Sequence, residues 1–312
     1  MIATGPPRRP RAVPAADAAP APRLLRLPGP LFVELLLAVM LGLLGTVLAA
    51  RLGDGHAAAF VLCSQVSAML FVFFRIVGAG VSVVVSQALG AGRRDEADST
   101  ALATLGASSW IGALCTLLAA AGAGPLLRAL NSPPEVLALA VPLLRWLAPA
   151  VLLNAWNSAL SSVLRSHLQA RPTMVLVVVM QMAHLLLVVP AMTGLGGWFD
   201  GWPGAGLAGF AISLLISRAL GLALLLQAWR DRLGLAPRRA DWWCWRRHIL
   251  GPVLHIGLPG AAENIAWRSA FMFSIAVVGL MGTSALATHA YSVRRGLCRR
   301  TFELACRMIA RP

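Results

Sequence analysis

Two acidic residues, Glu34 and Glu263, sit inside apolar stretches long enough to cross a membrane. Arg75, Arg145, Arg218 and Arg268 sit inside such stretches as well. A charged side chain at a bilayer centre costs at least roughly 2.5–3.5 kcal/mol, so these residues should face a partner or a water-filled cavity. A carboxylate there can bind and release a cation or a proton, and a guanidinium can hold an anionic group. His184, three residues after Gln181, could hydrogen-bond a substrate or relay a proton; the plainer alternative is a bond to a neighbouring helix. Arg268 follows Glu263 by five residues, about 140° around a helix, so the two cannot simply pair on one face. Glu34 lies only a turn or two from a helix end, where a snorkelling ion pair is the competing reading. Asn154 and Asn157, three apart, read as polar glue between helices.

Seven apolar runs must position these groups: Leu27–Ala50, Ala57–Leu89, Ala101–Leu127, Val136–Leu164, Thr173–Trp198, Gly204–Trp229 and Pro252–Met281. At about 1.5 Å per residue, roughly 20 apolar residues cross a hydrocarbon core of about 30 Å, and every run is that long. The chain is 58% hydrophobic and 12% charged, about half the charge of a soluble domain. The fold class is therefore all-α, a polytopic membrane helix bundle. Splitting the second run at Arg75 into two short spans would invert everything after it, so one span is expected there.

All 27 basic residues are arginine, and the formal charge is +15. They flank the apolar runs and build no basic face, so nucleic acid is not the expected partner; the lipid bilayer is. Up to residue 250, fifteen arginines fall in the N-terminal tail and alternate gaps, against Arg51 and Arg128 in the others. By the positive-inside rule the N-terminus is cytoplasmic, in what reads as a bacterial inner membrane. Trp198 and Trp202 then mark the outer boundary, and Trp229, Trp242, Trp243 and Trp245 the inner one. Residues 1–26 read as a disordered tail, 27–230 as a six-helix lobe, 231–250 as a cytoplasmic linker and 251–293 as the start of a second lobe. The segment Ser284–Val293 begins like an eighth helix, and the basic stretch 294–312 that follows reads as an aberrant or out-of-frame terminus.

The first and seventh runs repeat one another. Pro30, Glu34 and Gly53 are spaced as Pro259, Glu263 and Gly282 are. Internal repeats of helices are the architecture of secondary transporters, with substrate sites at the repeat interface. No Walker A sequence, zinc-protease motif or dinucleotide fingerprint occurs, so no enzyme and no cofactor is expected. The five cysteines show no metal or disulfide pattern.

Several segments resemble the multidrug and toxic compound extrusion (MATE) transporters. Leu27-Pro-Gly-Pro-Leu-Phe-Val-Glu34 through Arg51-Leu-Gly-Asp54 resembles that family's opening helix, and Val81–Gly92 its second-helix exit. Ser162–Arg165 with Arg171-Pro172 resembles the turn from its fourth helix to its fifth. Pro203–Ser213 resembles the entrance to its sixth helix, and Ile256–Asn264 the start of its second lobe. The likeness covers about residues 27–294. It implies two six-helix lobes, alternating access, and export of organic, often cationic, drug-like molecules against inward Na⁺ or H⁺. Two departures stand out. Most of a second lobe is absent from this chain, so the reading is of a C-terminally truncated member. The acidic residue that many members carry in the first helix, just before a threonine, is here Gly45 in Leu44-Gly45-Thr46. Glu263 and Glu34 remain as candidate cation sites, with His184, Gln181, Arg75 and Arg268 as candidate cavity residues. The alternatives are a lipid-linked glycan or lipid flippase of the same superfamily, with a more cationic cavity, and a non-transporting half-transporter fragment.

Overall fold

A computed structural model describes residues 28–194 and 204–282, together with Ser284, Ala285, Thr288, His289 and Ser292. Segments 1–27, 195–203 and most of 283–312 fall outside that description, and with them the expected tail, the Trp198–Trp202 boundary and the basic terminus. The side chains of Arg75, Glu263 and Arg268 also lie outside it, although each residue is helical.

The described chain is helical throughout its ordered elements: α1 (Pro28–Arg51), α2 (Asp54–Gly90), α3 (Arg94–Ala121), α4 (Ala123–Arg128), α5 (Pro134–Ser166), α6 (Ala170–Thr193), α7 (Gly206–Ala228) and α8 (Arg247–Gly279). Six of these helices are long and apolar enough to cross a membrane, and they make the chain an integral membrane protein. In lipid a helix satisfies its own backbone polar groups, which is why every apolar run takes this form. The seventh run falls on α8, 33 residues long.

α2 runs unbroken for 37 residues, straight through Arg75, as the single-span reading expects. The third run, by contrast, stops early. α3 ends at Ala121, Gly122 caps it through a bond to the Leu118 carbonyl, and the short α4 follows. Composition could not separate these two helices, because both are apolar.

α5 is the axis of the bundle. It packs against α2, α3 and α7, while α6 pairs with α7, α1 leans on α6, and α8 lies along α2. One core cluster gathers Phe60, Leu62, Leu127, Leu144 and Val151; a second gathers Val81, Leu105, Leu160, Leu164 and Trp229. Trp229 is a correction to the sequence reading. It is completely buried and donates from Nε1 to the Leu160 carbonyl at 3.1 Å, so it anchors the core and does not face a lipid interface. Two of the connector tryptophans also touch protein, while Trp243 and Trp245 stay 49% and 42% exposed, as an interfacial position allows. Trp243 stacks edge-on with Trp110 at 5.6 Å, and Trp242 with Trp156 at 4.9 Å. Trp110 Nε1 donates to the Trp243 carbonyl at 2.9 Å, so the connector is strapped to α3 and α5.

The repeat has a backbone counterpart. Gly53 after α1 and Gly282 after α8 both hold positive φ, +130° and +98°, a region open to glycine at little cost. Three arginine-bearing gaps also converge at one end of the bundle, where Arg94, the Ser166–Gln169 turn and Arg232 line one crevice.

Candidate functional site

The polar groups inside the bundle collect along the seam of α5, α6 and α7. Gln181 and His184 lie one turn apart on α6, so they share a face. Phe210, Leu214 and Arg218 descend α7 at four-residue spacing, and α5 contributes Asn154 and Asn157 at three-residue spacing. Arg218 Nη2 donates to Gln181 Oε1 at 3.1 Å, and its Nη1 approaches Met180 Sδ at 3.2 Å. Asn157 Nδ2 donates to the Arg218 carbonyl at 3.0 Å. The amide thus ties α5 to α7, the role that its spacing suggested.

The seam is incompletely satisfied. Arg218 Nε and Asn157 Oδ1 are buried without a hydrogen-bond partner. His184 is 1% exposed, and neither of its ring nitrogens reaches a partner in good geometry, although the Ser213 backbone lies close. Its ring packs edge-on against Phe210 at 5.1 Å, and Phe210 in turn packs edge-on against Phe60 at 4.7 Å. Buried polar atoms are almost always paired, so a cluster of free ones marks a place where water or a ligand can bind.

The charge balance is lopsided. Among the described residues the ion pairs are Arg93–Glu96, Arg165–Glu34 and Arg246–Asp241. None includes Arg218, which is held by neutral oxygen and sulfur. A guanidinium without a counter-ion in a low-dielectric interior favours an anionic partner. No group of three or more His, Cys, Asp or Glu side chains could hold a metal among the described residues.

Beside this seam lies a cavity of about 150 Å³, lined by Ser64, Ser67, Phe71, Asn154, Phe210 and Leu214. Ser67 Oγ is buried without a partner. Phe210 belongs both to the cavity wall and to the aromatic stack on His184, so cavity and seam adjoin across its ring.

The structure therefore brings Gln181 and His184 onto one face, with Arg218 bonded to Gln181. It keeps Glu34 away from them. Arg165 Nη2 donates to Glu34 Oε2 at 2.6 Å, with 16% of the Glu34 side chain and 36% of the Arg165 side chain exposed. This pair joins α1 to the end of α5 at the arginine-rich end of the bundle. Sequence reasoning did not single out the aromatic wall around Gly45. A Cβ on Gly45 would come within 2.5 Å of Phe60 Cζ and 3.0 Å of Phe210 Cε2. The only signal for that wall was the glycine itself, standing where an acid was expected.

A bundle of membrane-length helices around a mid-span polar seam and a small internal cavity is the architecture of a membrane transporter domain. The MatE family model matches residues 30–189, just over half of the chain, and the chain belongs to that family. It is 25% identical over 269 residues to the Uncharacterized transporter YisQ of Bacillus subtilis (strain 168), covering 86% of this chain and 58% of that protein. It is 28% identical over 258 residues to the Probable multidrug resistance protein NorM of Rhizobium meliloti (strain 1021), covering 78% and 52%. The chain thus spans little more than half the length of these curated relatives. Among solved structures, the inward-facing conformation of a multidrug resistance MATE family transporter of the MOP superfamily aligns with a TM-score of 0.72 at 21% identity. That alignment covers 87% of this chain and 60% of the other. The bent form of the Vibrio cholerae MATE transporter VcmN aligns at 0.70 and 20% identity, covering 92% and 64%. A MOP superfamily transporter from Pyrococcus furiosus, described as having a binding pocket of reverse polarity, aligns at 0.66 and 19% identity, covering 91% and 68%. At these identities the structural likeness concerns the fold alone.

Proposed function

We propose that this chain supplies the first lobe, and the opening of a second, of an exporter that moves small organic molecules by alternating access in exchange for Na⁺ or H⁺. The observation that carries this reading is the unsatisfied polar seam of α5, α6 and α7 beside the Asn154–Phe210 cavity, at mid-span in a MATE-family bundle. A cavity of about 150 Å³ is smaller than the roughly 300–1,000 Å³ of a drug-sized site. It suits half of a site that a second lobe completes. Gln181 and His184 then line the first-lobe wall, and Glu263 is the acid that exchanges a cation for substrate. Arg75 and Arg268 contribute to the cavity's charge, and the Glu34–Arg165 pair supports the gate at the arginine-rich mouth. The membrane is a bacterial inner membrane with the N-terminus in the cytoplasm, in keeping with the arginine distribution.

A second reading has an observation of its own. Arg218 lacks an acidic partner among the described residues, which favours an anionic or lipid-linked substrate over a purely cationic one. Expression of a full-length version, in which a second lobe completes the site, is expected to lower accumulation of a lipophilic cation dye in an efflux-deficient host. Glu263→Gln is expected to return accumulation to that of the empty host, because no other interior carboxylate is assigned the exchange. Unchanged efflux in that variant would remove Glu263 from the mechanism. No effect of the parent gene on the dye, with efflux of an anionic dye instead, would favour the second reading.

A further inference from the structure

The arginine-rich end of the bundle carries a crevice of about 580 Å³ where the α2–α3 turn, the α5–α6 turn and the end of α7 meet. Arg94, His167, Gln169 and Arg232 line it, with Asp98 as the acid. Among the described residues neither Arg94 nor Arg232 has a carboxylate within ion-pair distance. Arg232 Nη1 only donates to Gln169 Oε1 at 3.2 Å, and His167 Nε2 is buried without a partner. Burial lowers the His167 pKa, opposed by Asp98 and reinforced by Arg94, so the ring is neutral near pH 7 and can donate one hydrogen bond. Two guanidinium groups outside any ion pair, an amide and an imidazole around this crevice outweigh its single carboxylate.

Two further features turn this crevice toward the membrane. Arg232 also lines a second crevice, of about 520 Å³, which continues along the α6–α7 face past Val175, Leu176 and Leu224. Arg171 and Asp231 also line its mouth and offset one another in charge, and beyond them Val175, Leu176 and Leu224 give an anion seated on Arg232 an apolar groove running toward the middle of the span. At the rim, Leu168 is 92% exposed and held at φ +59°. A bulky apolar residue in that backbone region is uncommon, and here it stands clear of the protein's own packing.

We propose that this pair of crevices is a binding site for an anionic phospholipid, with the phosphate between Arg94 and Arg232 and an acyl chain along Val175, Leu176 and Leu224. Basic pockets between membrane helices hold anionic headgroups through charge and hydrogen bonding, while the apolar groove selects a lipid over a free anion. The site is distinct from the α5–α6–α7 interior and does not depend on which molecule the protein transports.

The test is thermal unfolding of the purified chain in detergent, with phosphatidylglycerol, phosphatidylcholine or inorganic phosphate added. Phosphatidylglycerol is expected to raise the midpoint by about 3 °C, and the other two to leave it unmoved. Arg94→Gln with Arg232→Gln is expected to abolish that rise, and both positions are exposed enough to leave the fold intact. Arg128→Gln, in another of the gaps and also exposed, should keep it. An equal rise with phosphatidylcholine, or a rise that survives the double substitution, would overturn the proposal. A rise produced by phosphate alone would assign the crevice to a free anion and overturn it as well.

Discussion

The Gly209→Val variant is expected to yield little folded protein. Gly209 lies in the first turn of α7, where that helix meets the end of α6. A Cβ at this position would land on the Ala191 carbonyl, which is backbone and cannot swing aside as a side chain can. Overpacking a well-fitted interface costs about 1–3 kcal/mol even where side chains can adjust, so a branched residue against backbone should cost at least the upper figure. Small residues let membrane helices approach closely because lipid supplies no hydrophobic drive to hold them together. The same seam sets Phe210 against His184 and Arg218 against Gln181, so parting the helices would dismantle the site as well as the bundle. Size-exclusion profiles and unfolding midpoints in detergent would check this. A valine variant with the parent's midpoint would mean that α6 and α7 lie further apart than described.

The second large effect is expected at Gly45. An aspartate there would restore the acid that the MATE resemblance leads one to look for. The surroundings do not admit it. Its Cβ would press on Phe60, which is 2% exposed, and on Phe210, and those rings already pack edge-on at 4.7 Å. Overpacking of about 1–3 kcal/mol adds to the cost of burying a carboxylate without a partner, which is itself at least about 1–3 kcal/mol. Gly45→Asp should therefore destabilise the chain by roughly 2–6 kcal/mol by the sum of those two costs. Adding Phe60→Ala should recover part of the loss by making room. If Gly45→Asp alone were as stable as the parent, the aromatic wall would not be what excludes an acid from this helix.

Much of the fold was legible because the bilayer imposes a length. A run of about 20 apolar residues has few ways to satisfy its backbone other than a helix, and six of the seven expected runs coincide with membrane-length helices, most of which extend a few residues past the run at one or both ends. The unbroken α2 was legible from the arginine distribution, since a break at Arg75 would have reversed the remaining gaps. The end of α3 was not, because Gly122 interrupts a stretch that stays apolar on both sides. Trp229 was read as interfacial because composition gives its depth but not its facing. Contacts with Leu160, Trp110 and Trp156 depend on helix rotation, which apolar-all-round helices do not encode in their periodicity. The site was legible in part for the same reason. Gln181 and His184 share a face by spacing alone. That Arg218 reaches Gln181, that Glu34 is drawn to Arg165, and that Gly45 faces two phenylalanines are facts of tertiary packing. The lone arginine in the sixth run carried the strongest hint, since a buried charge needs partners at its own depth.

The claim on which the functional account rests is that the space beside Asn154 and Phe210 belongs to a hydrated route through the membrane. It is tested most directly by cysteine accessibility. Asn154→Cys would be placed in a background whose five native cysteines are replaced, and membrane vesicles exposed to a charged, impermeant thiol reagent on either face. The account predicts labelling from at least one face, slowed when a transported dye is present. A cysteine at 154 that stays unreactive from both faces, in protein that folds and inserts normally, would contradict it.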